Sequence, residues 1–235
     1  MNHNKPLISV IMSVYNGEST LPSAIKSIIS QTYENLELLI VDDASTDNTF
    51  KILKDFETRD KRVKVYQNKN NIGLTKSLNF LINKSQGEFI ARQDSDDISL
   101  KNRFSTQINF LENQSFDVCV SRAIVKDSNV LIPNLSYFVP KKIVFKFKNP
   151  FIHGTLLAKK TVFDALGGYD ENFYFSQDYK FFLDCINKKY NIKYIKKPLY
   201  ILNPTNNIST EHSVEQKKYA EIVKKEYKIY ENIFK

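Results

Sequence analysis

The chain has 235 residues, of which 42% are hydrophobic and 26% are charged. This balance is that of an ordinary globular protein, and no low-complexity tract or internal repeat interrupts it. Because no linker divides the chain, the length predicts one sizeable α/β domain. A formal net charge of +8 favours anionic partners. The lysines are scattered without the arginines and aromatic residues of a nucleic-acid groove, so we expect no nucleic-acid partner.

Location is predicted from the apolar segments and the cysteines. No apolar run approaches the ~18 residues that a membrane-spanning helix needs, and the N-terminus shows no signal-peptide pattern. Cys119 and Cys185 lie in apolar runs, which predicts buried thiols rather than a disulfide or a metal site. We therefore expect a cytoplasmic protein.

Buried strands and amphipathic helices alternate along the first ninety residues. Each predicted strand is a short apolar run that ends at polar residues, and the four runs are 7–14, 36–41, 63–66 and 88–92. Apolar residues at helical spacing, around Ile25, Leu53 and 74–82, predict the helices between them. This order predicts a Rossmann-like, mostly parallel central sheet flanked by helices, with ligands bound beyond the carboxyl ends of its strands.

The second half of the chain is less regular. From Arg103 onward the pattern indicates a helix to about Leu111, strands near 118–120 and 130–132, a lysine-rich run at 141–148, a loop at 149–155, an apolar segment at 156–158 and a helix at 181–186. Residues 211–235 place apolar positions at helical spacing among lysines, which predicts a basic amphipathic helix. We expect this helix to pack on or extend the domain formed by residues 1–210, with an anionic membrane as a second surface for it.

One apolar strand runs directly into the acidic segment Asp94-Ser95-Asp96-Asp97. Asp94 and Asp96 are two residues apart, so on a strand their side chains would share a face and reach one divalent cation. Mg²⁺ or Mn²⁺ binds one or two carboxylates together with substrate phosphates, which suits a nucleoside diphosphate. The alternative is a solvated acidic turn, in which Asp97 or Ser99 caps a helix that starts near Leu100.

Six motifs follow one another along the chain, at 9–16 (SVIMSVYN), 41–47 (VDDASTD), 71–74 (NIGL), 91–97 (ARQDSDD), 167–170 (GGYD) and 177–179 (QDY). Together they resemble the family 2 glycosyltransferases, a group of inverting enzymes with the GT-A fold. The resemblance spans about residues 7–209, most of the chain. It implies a GT-A catalytic domain over residues 1–210, a nucleotide-sugar donor and a divalent cation. We expect no separate acceptor-binding or membrane domain after this core.

The resemblance implies a set of nucleotide-binding residues, which are Val14, Tyr15, Asn16, Glu18, Asp43, Asn71, Gly73, Lys76, Arg92 and Asp94. Tyr15 would stack on the base, and Asp43 would accept a hydrogen bond from its imide N–H, which selects a base with such a donor, usually uracil. Without the resemblance, Tyr15 would be a packed aromatic residue at a strand end and Asp43 a turn residue. Lys76 or Arg92 would contact the phosphates, although Lys76 is equally compatible with a solvated helix position.

The resemblance also assigns the metal and the chemistry. Asp96 would bind Mn²⁺ or Mg²⁺, and Asp94 would contact the ribose or reach the metal through water. Asp178 would be the general base, because inversion by single displacement needs one carboxylate to deprotonate the acceptor hydroxyl. The alternative role of Asp178 is that of an acid at a helix start, which is common there.

Four further residues are expected on the acceptor side, namely His153, Gly167, Gly168 and Gln177. His153 has an alternative role as a buried, hydrogen-bonded histidine. Two positions depart from the family pattern. Gln177 stands where glutamate is common, and Asn203 stands where many relatives carry a histidine. His212, a few residues later, would compensate for Asn203 if its loop folds back.

We therefore expect a hexosyltransferase of the inverting class that moves a sugar from a UDP-sugar to a glycan or glycolipid acceptor, in building a bacterial surface polysaccharide such as lipopolysaccharide or capsule. Peripheral association with the inner face of the cytoplasmic membrane is a further expectation. The alternatives are a catalytically inactive module that binds nucleotide-sugar or glycan, and a sugar nucleotidylyltransferase. The second lacks support, because no glycine-rich, basic loop for a triphosphate follows the first strand.

Overall fold

A computed structural model describes residues 5–205 and 212–233. The first part of the chain alternates strands and helices as predicted. Its elements are β1 (Ile8–Val14), α1 (Leu21–Ile29), β2 (Leu36–Asp42), α2 (Thr49–Arg59), β3 (Val63–Gln67), α3 (Leu74–Lys84) and β4 (Phe89–Arg92). β1 pairs in parallel with β2 and β4, and β2 pairs in parallel with β3. The carboxyl ends of these four strands therefore meet at one edge of the sheet.

The second part completes the same sheet with mixed pairing. Its elements are β5 (Ile98–Ser99), α4 (Arg103–Asn113), β6 (Val118–Val125), β7 (Leu131–Ile132), α5 (Lys141–Phe145), β8 (Leu157–Lys159), α6 (Lys160–Leu166), α7 (Gln177–Asn187), β9 (Ile192–Leu202) and α8 (Ser213–Ile233). The strand order is β3-β2-β1-β4-β8-β6-β9-β5, with β7 beside β6. β8 is antiparallel to both β4 and β6, whereas β6 and β9 run parallel.

Helices cover both faces of the sheet, because successive strand residues point to opposite sides. Val10 and Met12 of β1 belong to a core with α1, α2 and α4. Ile11 belongs to a second core with α3, α6, α7 and α8. The predicted α/β fold with a central sheet between helices is therefore confirmed.

The C-terminal helix α8 lies on the second of these cores. Val223 and Tyr227 are buried, and the rings of Phe145 and Tyr227 meet in an edge contact at 5.0 Å. Lys180 of α7 lies 3.4 Å from the Glu226 carboxylate. None of the helices in residues 5–205 and 212–233 has the length and apolarity needed to cross a membrane.

One strand is absent from the sequence prediction, and one of the two predicted starts for the helix after the acidic segment is excluded. The strand β9 was not predicted, because Lys193, Lys196, Lys197 and Pro198 obscure its apolar pattern. Helix α4 begins at Arg103, since residues 98–99 form a strand with β9. The alternative in which Asp97 or Ser99 caps a helix near Leu100 is therefore wrong.

Candidate active site

The acidic segment lies at the carboxyl edge of the sheet, in the turn that follows β4. The sequence predicted that Asp94 and Asp96 share one face of a strand. This prediction is wrong, because β4 ends at Arg92 and both residues lie in the turn after it. The turn nonetheless brings their charges together. Burial, followed by repulsion from Asp94, raises the pKa of Asp96 to about 6. Asp94 is held by Arg92, whose Nη2 lies 2.6 Å from Asp94 Oδ1.

Arg92 is buried, and its second terminal nitrogen, Nη1, donates to the carbonyl oxygen of Gln93. Its Nε atom is buried without a hydrogen-bond partner. The buried guanidinium of Arg92 thus offsets the negative charge of Asp94. A contact of Arg92 with substrate phosphates remains a prediction.

Two buried residues that the sequence analysis missed hold the acidic turn. Gln93 donates through Nε2 to the carbonyl oxygens of Asp94 and Asp97, at 2.9 and 3.0 Å. Arg103 donates to Gln93 Oε1 and to the carbonyl oxygen of Arg92, at 3.2 and 2.8 Å. Burial lowers the pKa of Arg103 to about 10. The position of Arg103 at the start of an amphipathic helix gave no signal of this role.

The end of β9 closes the acidic turn from the other side. The Tyr200 hydroxyl accepts a hydrogen bond from the Asp94 N–H at 3.1 Å and also bonds to the Asp97 side chain. The Asn203 N–H donates to Asp97 Oδ1 at 2.6 Å. Burial and the charges of Asp94 and Asp96 raise the pKa of Asp97 to about 8.

The two candidates for the missing histidine therefore occupy different places. Asn203 lies at the acidic turn, but its side-chain oxygen accepts from the Thr205 hydroxyl at 2.9 Å. The His212 ring packs against Phe175 with 5.1 Å between ring centroids. The part of the chain between 206 and 211 lies outside the described residues.

The carboxyl end of β1 presents one aromatic ring to solvent. Val14 is buried, whereas Tyr15 is 51% exposed at the strand end. A half-exposed ring of this kind has a free face on which a planar base can stack. The packed aromatic role that the sequence left open for Tyr15 does not fit this exposure.

Asn16 and Glu18 join the loop after β1 to the loop after β2. Asn16 Oδ1 accepts from the Thr46 N–H at 2.8 Å, and the Asn16 N–H donates to Ser45 Oγ at 2.9 Å. Glu18 Oε2 accepts from the Asn48 N–H at 2.9 Å. Both residues thus shape the rim around Tyr15.

The Asp43 carboxylate is only 3% exposed and accepts three hydrogen bonds. The donors are the Ile72 N–H at 3.0 Å, the Gly73 N–H at 2.9 Å and the Asn68 side-chain amide at 2.7 Å. A carboxylate has about four acceptor positions, so about one is left for a base N–H. Asp43 thereby holds the loop after β3 against the end of β2.

Gly73 lies at a left-handed φ of +87° just before α3, and a Cβ there would lie 2.5 Å from the Tyr174 ring. A glycine is therefore required both by the backbone and by the ring. Asn71 and Lys76 are exposed on either side of it. Tyr174, which the sequence analysis did not select, is half exposed beside this loop.

Asp178 lies in the first turn of α7, near the helix start as predicted. Its Oδ2 accepts a hydrogen bond from the Asn149 side-chain amide at 2.7 Å, and its carboxylate also accepts from the Tyr179 N–H. Burial raises the pKa of Asp178, and the charge of Asp94 adds to this rise. The charge of Asp178 therefore interacts with that of Asp94, and the Asp178 carboxylate also accepts a backbone hydrogen bond from its own helix.

His153 and Gly154 lie against the acidic turn. His153 Nε2 is 2.7 Å from the Tyr169 hydroxyl, and burial lowers the pKa of His153 well below its usual range, so the imidazole is neutral. A Cβ on Gly154 would lie 2.7 Å from Asp94 Oδ2 and 2.5 Å from the Tyr200 hydroxyl. A side chain larger than that of glycine therefore does not fit at position 154, which the sequence analysis did not single out.

The glycines Gly167 and Gly168 connect to this region through Tyr169. Gly167 ends α6 at a left-handed φ of +74°. A Cβ on Gly168 would lie 2.5 Å from Asn79 Oδ1, which accepts the Tyr169 N–H at 2.8 Å. The turn therefore orients the tyrosine that contacts His153. Gln177, the first residue of α7, is buried.

A divalent cation at Asp94 and Asp96 remains a prediction, which the chemistry of the two side chains suits. Two adjacent carboxylates with repelling charges suit a hard cation that prefers oxygen ligands. Within residues 5–205 and 212–233, no group of three or more His, Cys, Asp or Glu side chains forms a complete metal site. Mg²⁺ and Mn²⁺ do not require one, since phosphate oxygens and water supply the remaining ligands.

Comparison with known proteins identifies the family. Residues 9–169 match the family described as Glycosyl transferase family 2. The chain is 40% identical to the putative glycosyltransferase EpsE of Bacillus subtilis over 70% of its own length and 60% of EpsE. It is 35% identical to the O-antigen biosynthesis glycosyltransferase WbnJ of Escherichia coli, covering 88% of this chain and 83% of WbnJ. The protein belongs to glycosyltransferase family 2, as its motifs predicted.

Solved structures show the same fold. S. aureus TarS 1–349 in complex with UDP superposes with a TM-score of 0.74 at 21% identity, covering 92% of this chain and 64% of that TarS fragment. The mannosyltransferase PcManGT of Pyrobaculum calidifontis, in complex with GDP-Man and Mn²⁺, gives a TM-score of 0.71 at 19% identity, over 90% of this chain and 60% of PcManGT. The predicted GT-A fold is confirmed, and the family sets aside the nucleotidylyltransferase alternative.

Proposed function

We propose that the protein transfers a sugar from a UDP-sugar to a hydroxyl group of a glycan or lipid-linked acceptor, with inversion at the anomeric carbon. The family supports glycosyl transfer, and the name of WbnJ supports a role in surface polysaccharide biosynthesis. The UDP complex of TarS supports the nucleotide, although the GDP-Man complex of PcManGT shows that this fold also accepts guanine nucleotides.

One observation carries the catalytic part of the proposal. The Asp178 carboxylate accepts a hydrogen bond from Asn149 at 2.7 Å, and the charge of Asp94 contributes to the rise in its pKa, which supports a position near the turn that is proposed to bind the diphosphate. Burial also raises the pKa of Asp178, which makes it a stronger base than an exposed aspartate. A fixed carboxylate of this kind suits the deprotonation of an acceptor hydroxyl.

The proposed site for the nucleotide-sugar donor lies at the carboxyl ends of the parallel strands. The exposed ring of Tyr15 stacks on the base, and the free acceptor position of the Asp43 carboxylate takes the imide N–H of uracil. Asn71, Gly73 and Lys76 lie at the start of α3, where the helix N-terminus favours the negative charge of a diphosphate.

Asp96, with Asp94 directly or through water, is proposed to hold Mn²⁺ or Mg²⁺. When bound, the cation would supply positive charge that stabilises the departing nucleoside diphosphate. Arg92 keeps Asp94 in place through its 2.6 Å ion pair. The Tyr200 hydroxyl and Gln93 fix the backbone of the same turn.

The proposed reaction is a single displacement. The acceptor hydroxyl loses its proton to the Asp178 carboxylate as its oxygen forms a bond to the anomeric carbon. The bond between that carbon and the phosphate oxygen breaks, and its electron pair leaves with UDP. His153 is neutral and forms a hydrogen bond with the Tyr169 hydroxyl, so we assign it to shaping the acceptor side and not to proton transfer.

A panel of nucleotide-sugars tests the proposal. Purified protein with Mn²⁺ is expected to hydrolyse one UDP-sugar slowly and to transfer it to a suitable acceptor, with the product anomer opposite to the donor by NMR coupling constant. The panel includes GDP-mannose. Turnover of GDP-mannose alone would overturn the uracil assignment, and a retained anomer would overturn the single displacement. Nucleotide binding without any turnover across donors and acceptors would favour the inactive binding module.

A further inference from the structure

One segment of the surface collects exposed apolar side chains. More than half of the exposed large apolar residues in the described parts of the chain lie between 130 and 147. Three of them are almost fully in water, since Leu135 is 79% exposed, Phe138 is 74% exposed and Phe147 is 69% exposed. Patches of this kind on a globular protein mark a binding surface. We call it the apolar-basic surface, formed by Leu135, Phe138, Val139, Lys142, Ile143, Phe147 and Lys148.

The fold turns these side chains outward. Val144 and Phe145 bury the inner side of the short helix α5, where Phe145 packs on Tyr227 of α8. Lys142 and Ile143, on its outer side, are therefore exposed. The chain could bury Val144 and Phe145 without placing phenylalanines at both ends of the helix in water, so the core does not explain Phe138 and Phe147.

The charge of this surface has one sign. Residues 128–163 contain no aspartate and no glutamate, whereas lysines occur at 141, 142, 146 and 148. Protein surfaces ordinarily carry both signs of charge. A surface with charges of one sign is therefore poorly matched to a protein partner. Exposed phenylalanine and leucine beside lysine instead match an anionic lipid surface, where rings enter the interface and ammonium groups meet phosphates.

One cleft connects this surface to Asn149, the hydrogen-bond donor to Asp178. Leu135 and Lys148 line a cleft of about 460 Å³ together with Asn149. Asn149 in turn donates its hydrogen bond to Asp178. A bilayer seated on this surface would therefore hold the head group of a lipid-linked acceptor next to the carboxylate.

We propose that the apolar-basic surface docks the protein on an anionic bilayer, and that the cleft beside it admits the head group of a lipid-linked acceptor. The second part rests on the proposed function. The first part does not, because it concerns binding to lipid alone. It also moves the expected membrane contact away from α8, whose Val223 and Tyr227 are buried in the core.

The test is co-sedimentation of the protein with vesicles of phosphatidylcholine, with and without phosphatidylglycerol, at low and high ionic strength. We expect binding to the anionic vesicles only, weakened by salt. The triple variant Leu135→Asp, Phe138→Asp, Phe147→Asp is expected to lower the bound fraction by about tenfold or more. Lys142→Gln is expected to weaken binding severalfold. The matched control is Val214→Asp, Ile229→Asp, which changes two exposed apolar residues on α8.

Thermal unfolding and UDP binding show whether each variant is folded. Wild-type binding by the triple variant would overturn the proposal, as would loss of binding in the α8 control alone. An absence of vesicle binding by the wild type at low ionic strength would overturn it too. A concentration-dependent dimer that the triple variant abolishes, without lipid binding, would assign the surface to a second copy. Lipid binding without glycosyl transfer would separate this proposal from the proposed function.

Discussion

Asn149 donates a hydrogen bond from its side-chain nitrogen to Oδ2 of Asp178 across 2.7 Å, although 29 residues separate the two in sequence. The side-chain oxygen of Asn149 accepts the Phe151 N–H at 3.0 Å. The amide is thus anchored by the backbone of its own loop and directs its donor at the carboxylate. In the proposed reaction Asn149 is a positioning residue for the base.

Asn149→Ala is expected to lower the rate of transfer by about tenfold or more, because a hydrogen bond to a charged group contributes roughly 1.5–3 kcal/mol. Asn149→Asp keeps the acceptor for Phe151 but places a second carboxylate against Asp178, so the acidic limb of kcat against pH should move to higher pH. Asn134→Ala, in the wall of the same cleft, is the control. An unchanged kcat and pH profile in both Asn149 variants would remove the positioning role.

Asp178→Asn keeps the size and the acceptor oxygen of the side chain but removes the base. Transfer is expected to fall by roughly 10²–10⁴, while UDP binding measured by calorimetry stays within a few-fold of wild type. If transfer to the true acceptor were nearly unchanged, Asp178 would be only an acid at a helix start. Asp170 and Glu171 would then be the next residues to replace.

The same substitution is expected to stabilise the protein at neutral pH. Burial raises the pKa of Asp178 in the folded state above its ordinary value of 3.8. Between the pKa of the unfolded state and that of the folded state, the folded state binds more protons, so stability falls as pH rises. Asp178→Asn removes this cost, so the free energy of unfolding at neutral pH should increase. Urea unfolding at several pH values checks it: the gain should vanish below about pH 4. A gain that is equally large there would point to a cause other than the buried charge.

UDP is expected to bind and raise the thermal midpoint only with Mn²⁺ or Mg²⁺, because a diphosphate next to Asp94 and Asp96 otherwise meets repulsion. Asp96→Ala should abolish the metal-dependent increment and leave the fold intact. Asp164→Ala, which removes an exposed carboxylate on α6, serves as the control. Equal UDP affinity with metal and with EDTA would remove the metal assignment.

Gly73 and Gly167 allow backbone strain to be separated from a steric contact. Both have left-handed φ values, +87° and +74°, but only a Cβ at Gly73 meets the Tyr174 ring, and one at Gly167 meets nothing within 4 Å. Each alanine variant is expected to lose about 1–2 kcal/mol of stability. Only Gly73→Ala should also weaken UDP binding, since it displaces the half-exposed ring and the loop bound to Asp43. Equal UDP affinity in the two variants would show that this loop does not form the nucleotide site.

The sequence by itself determined the first half of the fold. Apolar runs such as residues 36–41 report burial on both faces of a strand, and the polar residues that end them mark the edge of the sheet. Asp43, Asp94 and Asp178 were therefore placed at strand and helix ends by local pattern, and the ordered motifs added the family. All of this information is local, because it comes from residues a few positions apart.

Only the tertiary structure decided which distant groups meet at the acidic turn. Tyr200 lies in β9, whose lysines obscured its strand pattern, and Asn203 directly follows this strand. Each of them bonds to a residue 106 positions earlier, Asp94 and Asp97 respectively. The burial of Arg103 likewise depends on packing against β4 and the segment before β8, since its partners include the carbonyl oxygens of Arg92 and Leu156. Periodicity records how each residue faces its own element. It does not record which distant element supplies the hydrogen-bond partners of a buried polar group. Those partners are determined by the order of the strands in the sheet.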